Sequence, residues 1–257
     1  MTNPLQVRNL ERRDIGAIFD ETFRIYGRHF LKLIAIVAIV QIPLGILGYL
    51  TNDPYSYIPL GISILAGIVS FVASLITGPL VMGGLIHAIS KQYLIQQIDI
   101  GNSYNFAWYR IGSLLITTII VGLACFLMAI TIVGIPFAIY FGIRWSFCIP
   151  AVIIEDRKPM AAISRSSQLV KDNWWRVFCY AIISLLIALA IGLVISIFSL
   201  IPGVPSQFVS TIVGILITPI VSILLTLLYF DIRLQKEGYS FEKLAQELGL
   251  QDIHTSV

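Results

Sequence analysis

Residues 111–154 read IGSLLITTIIVGLACFLMAITIVGIPFAIYFGIRWSFCIPAVII, an apolar stretch carrying a single charge, Arg144. As one α-helix, rising roughly 1.5 Å per residue, it would be about 66 Å long. The hydrocarbon core of a bilayer is only about 30 Å thick, so one helix is excluded. Gly134 and Pro136 supply the break, because Gly and Pro so close together mark a turn. The stretch reads as two membrane-spanning helices, Ile111–Val133 and Ile135–Ile154, folded into a hairpin.

Four further runs flank that hairpin: Leu33–Leu50, Ile58–Ile89, Val177–Leu200 and Phe208–Phe230. Each is long enough to span, given that about 20 mainly apolar residues suffice. Ile58–Ile89 is too long for one straight span, and is expected to begin in one interface and project past Gly78 and Pro79 at the other. The composition agrees. Of 257 residues, 57% are hydrophobic and 12% charged, whereas soluble domains hold about 45–50% and about 25%. The expected fold class is an all-α, polytopic integral membrane protein with six transmembrane helices in three hairpins.

Charge placement tests this count independently. Arg8, Arg12, Arg13, Arg24, Arg28 and Lys32 precede the first run, and Lys91 and Arg110 follow the second. Arg157, Lys158, Arg165, Lys171 and Arg176 follow the fourth, and Arg233, Lys236 and Lys243 follow the sixth. Sixteen of the 17 basic residues thus fall in alternate connections, and the three opposite loops hold none. The positive-inside rule makes the basic side cytoplasmic, placing both termini in the cytoplasm and the protein in a cell (inner) membrane. Trp108, Trp174 and Trp175 lie beside the basic ends as expected interfacial anchors, and Tyr49, Tyr55 and Tyr57 flank the other side. The net charge of +3 is therefore topological and does not argue for a nucleic-acid partner.

The basic connections are patterned like helices. Ile15, Ile18, Phe19, Phe23, Tyr26 and Phe30 follow helical spacing after a possible cap at Asp14. Tyr104–Tyr109 forms a shorter candidate, and Pro159 suits the first turn of a helix carrying Ala162, Ile163, Leu169 and Val170. These are expected to be cytoplasmic interfacial amphipathic helices. In the tail, Ser240 and Gly249 bracket a short helix. The chain divides into a cytoplasmic N-terminal segment (1–32), a transmembrane domain (33–230) and a cytoplasmic tail (231–257). The first 28 residues hold acids and no apolar core, so no cleavable signal peptide is expected.

Arg144 is the candidate functional residue of the apolar region, placed near the middle of the fourth span. An arginine at a helix centre costs roughly 2.5–3.5 kcal/mol on insertion scales. It either faces an intramembrane site with Trp145 and Gln41, or snorkels to the cytoplasmic face after Pro150 ends the helix. Gln41 lies beside Pro43, a polar amide next to a kink, and so is expected to face a cavity. Ala66, Ser70, Ser74 and Gly78 form a small-residue ridge expected to pack against another helix. Arg157, Lys158, Arg165, Lys171 and Arg176 are candidate contacts for anionic lipid head groups, at about 1 kcal/mol each, or serve topology alone.

Catalytic patterns are absent from the sequence: no Gly-x-Ser-x-Gly elbow, no phosphate-binding glycine loop and no His-Glu-x-x-His. Cys125, Cys148 and Cys179 sit in apolar runs without metal-ligand spacing, and His29, His87 and His254 have no ligating neighbours. Neither a metal nor another cofactor is expected.

Several short patterns carry a resemblance. They are Phe19-Asp-Glu-Thr-Phe-Arg-Ile-Tyr-Gly-Arg-His-Phe, Arg144-Trp145 followed by Pro150 and Glu155, Ala162-Ile-Ser-Arg-Ser-Ser-Gln-Leu-Val with Trp174-Trp-Arg, and Tyr229-Phe-Asp-Ile-Arg. Over about residues 14–250 the chain resembles stand-alone proteins that look like the membrane domain of glycerophosphoryl diester phosphodiesterases. The catalytic barrel of the two-part relatives, with its His-Arg-Gly signature, has no counterpart here, so the resemblance implies a membrane module without the phosphodiesterase activity. It places Arg144, Trp145, Arg165, Trp174 and Trp175 at matching positions. The expected function is a non-enzymatic, lipid-interacting scaffold or accessory subunit; the alternative is a transporter or lipid-translocating protein with a cavity near Gln41 and Arg144. Expected partners are anionic membrane lipids, with protein partners and homo-oligomers left open.

Overall fold

The computed structural model describes residues 15–51, 60–95, 98–201 and 204–237. Among them ten α-helices follow one another: α1 (Ile15–Arg28), α2 (Phe30–Thr51), α3 (Leu60–Ile95), α4 (Ile100–Tyr109), α5 (Ile111–Ala129), α6 (Gly134–Arg144), α7 (Cys148–Glu155), α8 (Pro159–Val170), α9 (Trp174–Ser196) and α10 (Ser206–Glu237). A 3-10 turn, Ile197–Leu200, extends α9. Six stretches are long and apolar enough to cross a membrane: Phe30–Tyr49, Gly61–Tyr93, Ile111–Ala129, Gly134–Glu155, Trp174–Ser199 and Ser206–Glu237. The protein is an all-α, polytopic membrane protein. The Asp14 cap, the tyrosines 55 and 57, the tail helix from Ser240 and His254 lie outside the described residues.

Burial divides the long helices lengthwise. No residue of α3 between Gly61 and Gly78 is buried, whereas Val81, Leu85, Ile86, Ala88 and Ile89 in its second half are. Helix α10 repeats this, with its buried positions concentrated from Pro219 to Arg233. The reason is length. At 36 and 32 residues, α3 and α10 measure about 54 and about 48 Å, well beyond an about 30 Å hydrocarbon core. The excess extends at the basic end, where it is wrapped by α1, α4, α7 and α8. There Ile18, Leu33, Leu114, Ile153, Ile154, Leu169 and Tyr229 form a core of the kind water imposes. In the other half Ile64, Leu65, Phe71, Leu123, Phe126, Leu186 and Leu193 are exposed. Lipid solvates such side chains, so nothing drives them inward.

Pro79 of α3 and Pro219 of α10 sit at this transition, and both are buried. The Ser222 hydroxyl reaches the Met82 sulfur at 3.0 Å, and each proline lies three residues before that contact, so the two prolines fall side by side in parallel helices. A proline removes one helical N–H and frees the carbonyl four residues back. Near Pro219, Tyr26 Oη of α1 donates to Leu216 O at 3.2 Å.

Two sequence expectations change. The fourth span is not one rod: α6 ends at Arg144, Trp145–Phe147 turn, and α7 begins at Cys148. Helix α7 is buried at Cys148 and from Pro150 to Ile154, packed by protein rather than lipid. The second concerns the length of the last helix, which continues beyond the apolar run Phe208–Phe230 to Glu237. The connecting helices are present as α1, α4 and α8, with Asp99 capping α4 by accepting from Asn102 N at 3.2 Å. They bury Ile18, Ser103, Ala162, Ser166 and Leu169 against the bundle.

Candidate functional site

In the lipid-exposed half, α2, α3 and α10 frame an open-sided cavity of about 440 Å³. Helix α2 contributes Gln41, Leu44, Gly45 and Gly48; α3 contributes Ser63, Gly67, Ser70 and Ser74; α10 contributes Gln207, Ser210, Thr211 and Gly214. Only Leu44 of these twelve is hydrophobic. Along α10 the lining runs from the second helical residue, Gln207, to Gly214, a depth of about 10 Å. The cavity therefore starts at the end without basic residues and stops one turn above the paired prolines. Below it the packed half of the molecule closes the passage.

Three glycines bring α2 and α10 close enough to form its wall. A Cβ added at Gly45 would stand 2.5 Å from Thr211 Oγ1, one at Gly48 would stand 2.9 Å from Gln207 Nε2, and one at Gly214 would stand 2.7 Å from Gln41 Oε1. Each polar side chain thus lies over a glycine of the opposing, antiparallel helix. Thr211 and Ser210 donate to Gln207 O at 2.8 and 2.9 Å, and Ser74 donates to Phe71 O at 2.7 Å. Their protons are used within their own helices, which leaves oxygen lone pairs toward the cavity. Ser70 Oγ is buried and has no hydrogen-bond partner among the described residues.

Gln41 lines this cavity, as its place beside Pro43 suggested. Arg144 does not. It is half-buried at the last residue of α6, and its carbonyl accepts from Ser166 Oγ of α8 at 2.9 Å. The same Ser166 oxygen accepts from Phe147 N at 3.1 Å, holding the break between α6 and α7. Arg144 thus stands at a break inside the Gly134–Glu155 span, where α6 ends beside α8. Trp145 is half-buried, its ring 5.1 Å from that of Phe141. The Ser70–Ser74 ridge is corrected, since both residues line the cavity, and a Cβ at Gly78 would meet nothing within 4 Å.

The second constellation lies at the basic end and was invisible in the sequence. Glu155, 3% exposed, accepts from Arg165 Nε at 2.9 Å and from Tyr229 Oη, and pairs with Arg233 at 3.3 Å and Arg157 at 3.2 Å. Glu237 bridges Arg165 and Arg233. Tyr229, Arg233 and Glu237 recur every four residues on α10, and that periodicity was the available clue. Arg176 pairs with Asp231 at 2.6 Å, with both side chains buried. Of the five candidate lipid contacts, Arg165 and Arg176 are therefore turned onto carboxylates of the protein, because a buried guanidinium needs a counter-charge. Arg157, Lys158 and Lys171 are exposed.

Burial by itself opposes the charged form of Arg165, but the hydrogen bonds it donates to Glu237 and Glu155 outweigh it and hold its pKa above the usual guanidinium value. Lys236 lies 2.7 Å from Asp172, and its hydrogen bond and charge hold the Asp172 carboxyl below the usual carboxylate range. Trp108 and Trp175 are exposed at this end. Trp174 is instead drawn inward, donating from Nε1 to Tyr140 O at 3.2 Å and stacking on Phe178. No group of three His, Cys, Asp or Glu with metal-binding potential occurs among the described residues.

Residues 30–233 match the family described as Domain of unknown function (DUF7847). No curated protein and no solved structure matches the chain.

Proposed function

The chain belongs to the DUF7847 family, a domain of unknown function, and from that premise we propose that it is a non-enzymatic, lipid-interacting membrane protein that holds an amphiphile by its head. The observation that carries this reading is the cavity of about 440 Å³, lined by glutamine, serine, threonine and glycine with a single leucine, in the half where the outer faces of the same helices are apolar and exposed. Its volume falls in the about 300–1,000 Å³ range of ligand sites. A molecule with a polar head and apolar tails meets both surfaces at once. The packed half below the cavity favours holding over passage, so the accessory or scaffold role is preferred to that of a transporter.

The same reading places the basic end in the cytoplasm of a cell (inner) membrane, with both termini on that side. Exposed Trp108, Tyr109, Met160 and Trp175 with Arg157, Lys158 and Lys171 suit an anionic leaflet. The resemblance to the membrane domain of glycerophosphoryl diester phosphodiesterases belongs to this proposal, as a lipid-facing module.

Native mass spectrometry of the protein released from its membrane tests the proposal. The expected spectrum carries one retained amphiphile, absent from a Gln41→Met, Gln207→Met double variant that keeps side-chain volume and removes both amides. Equal retention by the two proteins would sink the reading.

A further inference from the structure

We propose that the cavity among α2, α3 and α10 selects an uncharged, hydroxyl-rich group, a sugar or other polyol, in preference to a phosphate or an ammonium. This rests on the amphiphile reading and narrows it to one ligand chemistry.

Charge is the first argument. Among the described residues no Asp, Glu, Lys, Arg or His lines the cavity. An ionic head drawn into it would lose water and gain no counter-ion, which is heavily penalised in a low-dielectric wall. The anion-seeking side chains of this protein, Arg157, Lys158 and Lys171, are instead exposed at the opposite end.

The balance of donors and acceptors is the second. Ser74, Ser210 and Thr211 each have one hydroxyl proton, and each donates it to a carbonyl of its own helix. What they offer a ligand is oxygen lone pairs. A phosphate also presents only lone pairs, so it would face acceptors with acceptors. A ligand hydroxyl donates to such oxygens and accepts in return from an amide. The amides of Gln41 and Gln207 supply that two-sided partner.

The third argument is shape. Gly45, Gly48 and Gly214 are covered by Thr211, Gln207 and Gln41, but a Cβ added at Gly67 would meet nothing within 4 Å, so the α3 wall leaves bare backbone there against which a saturated ring can lie.

The experiment uses the full chain, purified in an amine-oxide detergent to avoid sugar head groups and reconstituted in phosphatidylcholine nanodiscs. Three probes are compared: glucosyl diacylglycerol, phosphatidic acid with the same acyl chains, and free methyl glucoside. Retention of the glucosyl lipid is expected to exceed that of phosphatidic acid by roughly tenfold or more, and to fall by a similar factor in Gln41→Met and in Gln207→Met. Binding of methyl glucoside as strong as the glucosyl lipid, with the same sensitivity to the variants, also supports the hydroxyl-rich class and makes a free solute its source. Preferential retention of phosphatidic acid, lost in the variants, overturns the ligand class but leaves an amphiphile in the cavity. If no probe responds to either substitution, both readings fall. Should the variants not assemble, the preference of the unaltered protein between the two lipids still decides the ligand class.

Discussion

Gly45 of α2 lies against the side chain of Thr211 on α10, with room for no carbon atom between them: a Cβ there would stand 2.5 Å from Thr211 Oγ1 and 3.0 Å from its Cγ2. That contact sets the separation of the two helices and so the width of the cavity beside them. Gly45→Ala gains helix propensity, about 1 kcal/mol, but overpacks the interface, at a typical cost of about 1–3 kcal/mol. A net loss of stability is expected in thermal denaturation. Adding Thr211→Ala removes both clashing atoms and is expected to restore the midpoint; a double variant no better than the single one would refute the contact's role.

The Glu155 carboxylate is the hub of the basic end, with Arg165, Arg233 and Tyr229 directed at it from α8 and α10. Glu155→Gln leaves two largely buried guanidinium groups short of a counter-charge, and removing one partner of such a pair costs about 3–5 kcal/mol. Tyr229→Phe removes one hydrogen bond and is expected to cost less, about 1–3 kcal/mol. Denaturation of both variants in the same detergent gives the order. Tyr229→Phe costing as much as Glu155→Gln would contradict a carboxylate-centred network.

Arg144 and Gln41 separate cleanly. Because Arg144 sits at the end of α6 beside Ser166 and Gln41 lines the cavity, Arg144→Leu is expected to leave amphiphile retention unchanged while Gln41→Met abolishes it. The reverse result in a lipid-retention assay would return Arg144 to the site.

Anionic-lipid binding at the basic end is expected to follow exposure. Each of Lys158 and Lys171 contributes about 1 kcal/mol near an anionic surface, so replacing both by Gln lowers affinity for phosphatidylglycerol vesicles without altering stability, whereas Arg157 also pairs with Glu155 and its loss touches both readouts. Arg165 and Arg176, paired with Glu155, Glu237 and Asp231, are expected to behave oppositely, destabilising the fold when replaced. Vesicle co-sedimentation and denaturation together distinguish the two groups.

Asp172 gives a pH signature. Its folded pKa is lowered by Lys236, so the stability it contributes is present above the unfolded carboxylate pKa, about 4. That stability is lost as pH falls through the folded value. The side chain is 70% exposed, so screening keeps the effect small. An acid titration of wild type against Asp172→Asn is expected to converge below that window and diverge above it. Divergence growing toward low pH has the wrong sign and would exclude the pair.

Long apolar runs, the Gly134–Pro136 break and the one-sided placement of Lys and Arg carry the six spans and their alternation, because bilayer thickness and charge translocation act on local composition. The breaks in helical hydrogen bonding were legible too, since proline lacks an N–H wherever it stands. Helix α7 was not. Its residues are as apolar as those of α5, and composition does not distinguish a helix wrapped by protein from one wrapped by lipid. The ion-pair hub joins Glu155 to Tyr229 across 74 residues, a separation at which no local pattern reports contact. The cavity depends on the same kind of fact: the polar positions of α2, α3 and α10 are sparse on each helix and converge only when α2 runs antiparallel to α10 and α3 parallel to it. Hydropathy and charge act residue by residue and are written along the chain, whereas the cavity, the hub and the position of Arg144 arise from which helix faces meet, and only packing in three dimensions decides that.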